Sequence, residues 1–466
     1  MASFKTSNSE TIFALSSGAG VAGVAVIRLS GPSSLTAFHR LAPKVKIEPR
    51  LAKLATLKDP DTGKTLDQSL ALYFKAPFSF TGEDVIELHV HGGRAVVEGV
   101  LSALHCLGVD DTLDHKLLRM AEPGEFTRRA FENGKMDLTE AEGLNDLIHA
   151  QTAAQRDLAL RQMDGALRNL YENWRHDLIA FLAHLEADID FPDEDLPDGV
   201  AVSVLPKIQI LKQSIEDHLN DNNRGQALRD GFRIAILGAP NAGKSSLLNK
   251  LLKSDVAIVS DEAGTTRDVI EVQLDIKGFA VKLMDTAGLR EQAGKVEAEG
   301  IRRALEKAED AHMKLVLVRA DQWPDVSRET LALIDENTIL VISQVDLRET
   351  DISVFHVKHP SVKPLQIIKT STQSGAGIDD LLSVIGDQVV SKMELNEAPV
   401  LTRMRHREAL HDCVDHLTRF EQTAGMDAVL AAEDVRMAVR ALGSITGLID
   451  VEDLLDVIFS DFCIGK

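Results

Sequence analysis

One segment, residues 232–252, restricts the fold of this 466-residue chain more than any other part of its sequence. A run of apolar residues typical of a buried strand leads into Gly238-Ala-Pro-Asn-Ala-Gly-Lys-Ser245, and a helical pattern follows. When a strand, a glycine-rich loop and a helix are joined in this order, loop amides and the helix amino terminus converge on phosphate oxygens. Lys244 is expected to reach the β- and γ-phosphates, and Ser245 to offer its hydroxyl to Mg²⁺. The segment therefore predicts a P-loop α/β domain that binds a nucleoside triphosphate.

Two further motifs lie where a nucleotide hydrolase needs them. Asp285-Thr-Ala-Gly288 follows the apolar run 281–284, so Asp285 is expected at a strand end beside Mg²⁺, with the Gly288 N–H facing the γ-phosphate. Gly264-Thr-Thr-Arg-Asp268 lies between the loop and this motif, and Thr266 is placed to complete the Mg²⁺ shell when the γ-phosphate is present. Their order and spacing predict a guanine-nucleotide hydrolase.

The base-recognition element departs from the usual GTPase pattern. After the buried strand 338–342 the chain has Ser343-Gln-Val-Asp346, where Asn-Lys-x-Asp is usual. Asp346 retains the carboxylate that accepts hydrogen bonds from guanine, but Ser343 lacks the asparagine amide that braces the loop, and Gln344 lacks the lysine charge. We therefore expect guanine preference with weakened nucleotide affinity. The backbone contact to the guanine carbonyl is expected from Ser371 and Thr372.

These motifs alone do not identify the residue that orients the attacking water. Ras-like enzymes have glutamine directly after Asp-x-x-Gly, and this chain has Leu289 there, which cannot orient water. The nearest candidates are glutamates of the following polar stretch: Glu291, Glu297 and Glu299. An acidic, solvated surface is the alternative interpretation of the same residues.

Apolar periodicity divides the rest of the chain. Up to Glu122, short apolar runs alternate with glycine-rich breaks, which predicts a mixed α+β domain with a central sheet. Helical stripes then flank the α/β segment on both sides, so we predict that the α/β domain is inserted into a helical domain. Thr139 and Glu142 have the spacing of a capping box and are expected to start the first of these helices. The predicted domains are residues 1–122, residues 123–228 with 387–466, and residues 229–386.

Composition limits the partners of the chain. With 51 basic and 72 acidic side chains the formal net charge is −21, which disfavours indiscriminate binding to phosphate backbones. The polar amino terminus lacks the apolar core of a signal peptide, no apolar run is long enough to span a bilayer, and the three cysteines form no Cys-x-x-Cys pair. These features predict a cytoplasmic protein with no membrane partner.

Blocks of residues spread along nearly the whole chain carry a more specific resemblance. They are Ser79-Phe-Thr-Gly-Glu-Asp-Val-Ile-Glu87, Glu122-Pro-Gly-Glu-Phe-Thr-Arg-Arg-Ala-Phe131, Asn133-Gly-Lys-Met-Asp-Leu-Thr139, the phosphate loop, residues 258–268 and the final Phe462-Cys-Ile-Gly-Lys466. Together these blocks resemble the tRNA modification GTPases called MnmE or TrmE. The resemblance implies an N-terminal α+β folate-binding and dimerisation domain, an α-helical domain, and an inserted Ras-like G domain.

The family resemblance also implies a reaction and its partners. Such proteins form homodimers through the N-terminal domain, which binds 5-formyltetrahydrofolate or another tetrahydrofolate one-carbon derivative, and the folate contacts fall on Arg28, Glu87 and Lys135. Arg28 and Lys135 suit the glutamate carboxylates of folate, whereas Glu87 suits the donor face of the pterin. With MnmG (GidA), a partner that carries FAD, these proteins form a heterotetramer or larger complex. Together they modify carbon 5 of the tRNA wobble uridine with a 5-carboxymethylaminomethyl-type group.

The resemblance assigns nucleotide and ion contacts as well. A K⁺ ion beside the phosphates supports the pairing of two G domains, and its ligands fall on Asn241, Ser260, Glu262 and Thr265. Mg²⁺ is held by Ser245 and Thr266, and Glu297 becomes the candidate catalytic residue. The implied GTP contacts are Asn241, Ala242, Gly243, Lys244, Ser245, Ser246, Ser260, Asp261, Glu262, Ala263, Gly264, Thr265, Thr266, Asp285, Thr286, Ala287, Gly288, Asp346, Ser371 and Thr372.

Alternatives remain open at three points. Cys463 is either a catalytic nucleophile near the folate site or a partly buried tail residue. His89 and His91 share one face of a strand, and a structural role is favoured over metal binding because no third ligand has recognisable spacing. The alternative functions are a ribosome-assembly GTPase and a nucleotide switch that scaffolds partners, although the helical tail carries no recognisable RNA-binding module.

Overall fold

The computed structural model describes residues 10–109, 118–190, 200–221, 223–258, 271–285, 310–394, 399–424, 426–449 and 452–466. These residues form two compact units. The first unit lies within residues 1–145, 162–182 and 436–466, and the second lies within residues 146–161 and 183–435. Among the helices in these described ranges, none is long and apolar enough to cross a membrane.

A six-stranded sheet forms the centre of the first unit. Its strands are β1 (Thr11–Leu15), β2 (Ala22–Ser30), β3 (Lys53–Lys58), β4 (Thr65–Phe74), β5 (Val85–Gly92) and β6 (Leu118–Met120). They lie in the order β3-β4-β5-β2-β1-β6, and all pairs are antiparallel except the parallel pair β1 and β6. Helices α1 (Ser34–Leu41) and α2 (Arg94–Val109) cover one face through a core that includes Phe38 and Leu104.

A run of helices follows the first sheet in sequence. They are α3 (Glu125–Glu132), α4 (Leu138–His149), α5 (Ala153–Met163), α6 (Ala166–Asp190), α7 (Val200–Leu219) and α8 (Arg224–Asp230). Apolar residues recur at three- and four-residue steps over residues 167–189, one of the helical stripes that flank the α/β segment, and they lie in α6.

The capping box at the start of α4 differs from the predicted one. The carboxylate of Asp137 accepts the N–H of Glu140 at 2.8 Å, and the carboxylate of Glu140 accepts the N–H of Asp137 at 2.9 Å. This reciprocal pair satisfies two donors that a helix start leaves unpaired. Thr139 and Glu142 are buried inside the helix, so the predicted box was wrong by two residues.

A second six-stranded sheet organises the second unit. Its strands are β7 (Phe232–Gly238), β8 (Glu271–Ile276), β9 (Phe279–Asp285), β10 (Met313–Arg319), β11 (Thr338–Ser343) and β12 (Gln366–Lys369). They lie in the order β12-β11-β10-β7-β9-β8, and all pairs are parallel except β8 with β9. The accompanying helices are α9 (Lys244–Leu252), α10 (Arg328–Leu331), α11 (Ser353–Lys358) and α12 (Ile378–Met393). The consecutive residues Ile236 and Leu237 belong to apolar cores on opposite faces, so this sheet is covered on both sides.

The helices after the second sheet are α13 (Met404–Thr423), α14 (Ala428–Thr446) and α15 (Glu452–Ser460). In the first unit, Phe459 and Phe462 pack with Leu138 and Ala141 of α4. Residues near the end of the sequence therefore share a core with residues that follow the first sheet. The domain boundaries at residues 122, 228 and 386 stay a prediction.

Candidate functional sites

The phosphate loop follows β7 at the carboxyl edge of the second sheet, where β7 lies between β9 and β10. Gly238 has a φ of +145°, and a Cβ atom there would lie 2.5 Å from the carbonyl oxygen of Leu317. Gly243 and Asn241 also have positive φ, +94° and +63°. Left-handed residues in a turn make successive backbone N–H groups converge into an anion-binding concavity. The predicted strand, loop and helix are confirmed.

Lys244 lies at the centre of this loop. The residue is only 8% exposed, and its ammonium group donates to the carbonyl oxygens of Gly238 at 2.7 Å and of Ala239 at 3.0 Å. Helix α9 begins at Lys244, and its N-cap residue, Gly243, has no side chain to accept the first-turn N–H groups. The first turn also contains no acidic residue. Buried positive charge beside open helix amides is the arrangement that binds phosphate.

Only part of the predicted Mg²⁺ site lies within the described residues. Ser245 and Ser246 are exposed in the first turn of α9. Asp285 ends β9, where its backbone pairs with Ile236 one strand from the loop, and the position of its side chain lies outside the described residues. An exposed hydroxyl next to a phosphate-binding loop fits a hard cation such as Mg²⁺, which prefers oxygen ligands.

Several predicted site residues fall outside the described residues, and their roles stay predictions. They are Ser260, Asp261, Glu262, Ala263, Gly264, Thr265, Thr266, Thr286, Ala287, Gly288 and Glu297. Leu289, Glu291 and Glu299 lie outside them as well.

Ser343 braces the phosphate loop, which the sequence had not led us to expect. The residue ends β11 and is only 6% exposed. Its hydroxyl donates to the buried carbonyl oxygen of Ala242 at 2.7 Å. We expected the loop to lack a bracing hydrogen bond because Ser343 stands where asparagine is usual. The serine hydroxyl nevertheless reaches the loop from this strand end. Gln344 keeps a left-handed backbone, with φ of +58°, and Asp346 is exposed two residues later.

Ser371 and Thr372, the predicted backbone contact to the guanine carbonyl, lie at the start of a closed turn. Ser371 is buried, and its N–H donates to the carbonyl oxygen of Ala376 at 2.9 Å. The N–H of Gly375 closes the same turn on the carbonyl oxygen of Ser371 at 2.9 Å. The Ser371 N–H is thus used within the turn, and Thr372 is half-buried there. The contact of Ser371 and Thr372 to guanine stays a prediction.

A second polar site lies on the first sheet. Arg28 of β2 and Glu87 of β5 are directly opposite each other, and each side chain is 18% exposed. The Nε and Nη2 atoms of Arg28 both donate to Oε1 of Glu87, at 3.1 and 3.0 Å. The two side chains are therefore bonded and lie side by side on this face of the sheet. Which part of a folate each of them would contact stays a prediction.

Two aromatic rings flank this ion pair. The Arg28 guanidinium lies 5.4 Å from the ring centre of Phe80 and 5.6 Å from that of Phe126, within cation–π range. Phe126 belongs to a small core on this face with Ile12 and Phe80. Sequence analysis did not identify either phenylalanine, although both lie inside blocks that carry the family resemblance.

A buried ionic network fixes the segment that carries Phe126. Arg129 is 1% exposed and donates to the carboxylates of Glu83 and Glu125. Arg119 makes two further bonds to Glu125, at 2.7 and 2.8 Å. Burial opposes ionisation of Glu125, but the bonds from Arg119 and from the Glu122 N–H, together with the charge of Arg129, hold its pKa below the ordinary value. Several ion pairs thus hold the start of α3 against the sheet.

Lys135 is not bonded to the Arg28 pair. Its ammonium group donates to the carbonyl oxygen of Pro77 at 2.9 Å, and its side chain lies beside Gly82. Residues 77–82 form the loop that carries Phe80. Lys135 therefore reaches the same loop that presents an aromatic ring to Arg28.

The remaining candidates are Cys463 and two histidines. Cys463 is exposed, and its carbonyl oxygen accepts the N–H of Gly124 at 3.5 Å, two residues before Phe126. His91 is exposed, and its Nδ1 lies 2.8 Å from the carboxylate of Asp67. His89 lies beside Glu87, with Nε2 3.6 Å from Oε2. Within the part of the chain that the structure describes, these groups do not form a cluster of three metal ligands.

Comparison with known proteins bears on both sites. The model of the MnmE helical domain matches residues 138–463, and that of the GTP-binding protein TrmE N-terminus matches residues 11–135. A tRNA modification GTPase MnmE from Parvibaculum lavamentivorans is 53% identical over 461 residues, covering 98% of this chain and 100% of the relative. A second, from Paramagnetospirillum magneticum, is 49% identical with the same coverage. This chain belongs to the MnmE family of tRNA modification GTPases.

Membership in the MnmE family confirms two predictions. The enzyme class is a GTPase. The fold class is confirmed by the TrmE N-terminal and helical domain models and by the parallel P-loop sheet. A solved G domain of the T. maritima iron transporter FeoB covers 34% of this chain and 98% of its own length at 23% identity, with a TM-score of 0.25, which is too low to add support.

Proposed function

We propose that this chain hydrolyses GTP in the modification of carbon 5 of the tRNA wobble uridine, adding a group of the 5-carboxymethylaminomethyl type. Its proposed partners are tRNA and the flavin-dependent MnmG (GidA), which supplies FAD within a heterotetramer or larger complex in the cytoplasm. The observation that carries the proposal is full-length similarity to tRNA modification GTPases, including both the phosphate loop and the segment around Arg28 and Glu87.

Nucleoside analysis of tRNA tests this function. Cells that lack the protein are expected to lose the modified wobble uridine, and a plasmid with the wild-type gene is expected to restore it. A Lys244→Ala variant is expected not to restore it, because the ammonium group at the loop is lost. Normal wobble nucleosides in the deletion strain would remove the proposal.

The described residues of the nucleotide site would bind the phosphates of GTP and orient them beside Mg²⁺. Lys244 and the amides of α9 hold the phosphates, and Ser245, with Thr266 and Asp285, is the proposed Mg²⁺ site. Bound Mg²⁺ neutralises charge that develops on the β- and γ-phosphates. Ser343 keeps the loop in shape through Ala242 while the phosphates bind.

Potassium is the proposed second ion, beside Asn241 and the loop that contains Ser260, Glu262 and Thr265. Asn241 supports this role, since it is exposed on the phosphate loop with a left-handed backbone. GTP turnover is expected to be several-fold faster in K⁺ than in Na⁺, and Asn241→Ala to abolish the difference. Equal rates in the two ions would reject the potassium site.

Glu297 is the proposed catalytic residue, which would orient the attacking water. Glu297→Ala is expected to bind GTP normally while hydrolysis collapses. Glu291→Ala is the matched control, because that glutamate lies in the same polar stretch and is expected to keep full turnover. Unchanged turnover in Glu297→Ala would reject the assignment.

The Arg28 and Glu87 pair is the proposed site of a tetrahydrofolate one-carbon derivative, such as 5-formyltetrahydrofolate, with Lys135 reaching the same loop. Glu87 offers acceptor oxygens to the pterin donors, and the rings of Phe80 and Phe126 give the site an apolar flank. Cys463 is the proposed nucleophile near the folate site, and its backbone carbonyl oxygen accepts the N–H of Gly124.

A homodimer is proposed through the part of the first sheet where β3 and β4 expose apolar side chains on the face opposite α1 and α2. Leu54 and Leu70 are opposite each other on β3 and β4, and they are 68% and 48% exposed. Val24 of β2 adds a third apolar side chain, 57% exposed. Exposed apolar clusters of this kind mark contact surfaces.

Analytical ultracentrifugation of the full chain tests the dimer. Leu70→Asp is expected to shift the protein toward monomer, because a carboxylate would be buried at the contact. Val357→Asp, on an exposed position of the second unit, is the control and is expected to leave the sedimentation unchanged. A monomeric wild type would reject the dimer.

A further inference from the structure

His89 lies beside the Arg28 and Glu87 pair, and the preceding observations leave its role open. It lies on β5 two residues after Glu87, so both side chains point to the same face of the sheet. Its Nε2 is buried and has no hydrogen-bond partner, although the ring as a whole is 30% exposed. A buried polar atom without a hydrogen-bond partner is destabilising, so its presence at this site needs an explanation.

The carboxylate of Glu87 lies close to this nitrogen. The distance from His89 Nε2 to Glu87 Oε2 is 3.6 Å, which is too long for a hydrogen bond. The other oxygen, Oε1, already receives both bonds from Arg28. Glu87 is therefore anchored at one oxygen, while the second faces a donor that it does not yet reach.

The tautomer of His89 follows from this environment. A negative charge next to Nε2 favours the form in which that nitrogen carries the proton, since the N–H then points toward the carboxylate. Nε2 is thus a donor in both the neutral and the protonated ring. A shift of about 0.6 Å by the carboxylate would bring the two atoms to an ordinary hydrogen-bond distance.

We propose that His89 is a positioning residue for Glu87 in the ligand-bound site. When a ligand with N–H donors binds to the Glu87 carboxylate, Oε2 moves within hydrogen-bond distance of His89 Nε2. Arg28 then donates to one carboxylate oxygen and His89 to the other. Glu87 then presents its outer lone pairs to the ligand in one fixed orientation. The inference rests on the proposed folate function of this site, and its ligand is the pterin end of a tetrahydrofolate.

Binding of 5-formyltetrahydrofolate to the full-length protein, measured by calorimetry, tests the proposal. His89→Leu keeps a side chain of similar bulk without the donor, and its dissociation constant is expected to rise roughly tenfold or more. His89→Gln retains an N–H donor and is expected to stay within about threefold of the wild type. His91→Leu, at an exposed histidine bonded to Asp67 instead, is the matched control and is expected to bind normally.

Two further measurements separate positioning from a structural role. The melting temperature of ligand-free His89→Leu is expected not to fall, because the lost donor has no partner in the free protein. In a Glu87→Gln background, His89→Leu is expected to have little further effect on binding, since it acts through that carboxylate.

The outcomes separate the folate function of the site from the role of His89. A wild-type protein that does not bind 5-formyltetrahydrofolate rejects the folate function and this proposal with it. If the wild type binds, then unchanged affinity in His89→Leu, or an equal loss with and without the Glu87 carboxylate, overturns the role of His89 alone.

Discussion

Replacing Ser343 by alanine removes one hydroxyl beneath the phosphate loop. That hydroxyl donates to the Ala242 carbonyl at 2.7 Å, and both residues are buried, at 6% and 1% exposure. Removing the donor leaves a buried carbonyl without this partner, at a cost of about 1–3 kcal/mol. If the loop relaxes to recover that cost, the amides that bind phosphate move with it. The dissociation constant for GDP is then expected to rise by about fivefold to a hundredfold.

Isothermal titration with GDP, at fixed Mg²⁺ and K⁺, measures this effect. Ser343→Thr retains the hydroxyl and suits a strand end, so it is the matched variant and is expected to stay within about threefold of the wild type. Thermal unfolding of each variant reports how much of the cost appears as lost stability instead. A Ser343→Ala variant that binds GDP as tightly as the wild type and melts at the same temperature would contradict the bracing role of this hydroxyl.

Four other substitutions probe the second unit. Gly238→Ala is expected to lower the free energy of unfolding by at least about 2 kcal/mol in thermal unfolding, because φ is positive there and a Cβ atom would contact a backbone carbonyl oxygen. Gly375→Ala, at a position with positive φ but open space around it, is expected to lower the free energy by about half as much. Lys244→Ala should raise the dissociation constant for a fluorescent GTP analogue by about tenfold to a hundredfold without unfolding the protein. Burial, aided by nearby cationic side chains, lowers the pKa of His312 to about 4 from 6.5, so the stability from its neutral form is present above pH 6.5 and is lost as the pH falls toward 4. In urea unfolding, His312→Gln should therefore lose less free energy of unfolding than the wild type between pH 7 and pH 4. An unchanged pH dependence would contradict the role of His312.

The sequence alone predicted the features that depend on neighbouring residues. The phosphate loop of the second unit follows from glycines at Gly238 and Gly243, because both have positive φ, which favours glycine, and a Cβ atom at Gly238 would also lie 2.5 Å from the carbonyl oxygen of Leu317. The helix over α6 follows from apolar residues at three- and four-residue spacing, since that period matches one helix face. The start of α4 was missed because two acid or hydroxyl pairs with the same spacing compete there, and local pattern does not choose between Asp137 and Thr139.

The tertiary structure decided which distant residues meet. Strand register, set by how two apolar faces align, places Arg28 opposite Glu87 and leaves His89 beside it. Parallel pairing of strands far apart in sequence brings Ser343 under Ala242, so a hydroxyl replaces the expected amide brace. Periodicity and backbone sterics act over a few residues and can be recognised in the sequence, whereas contacts across a sheet depend on how the whole core packs.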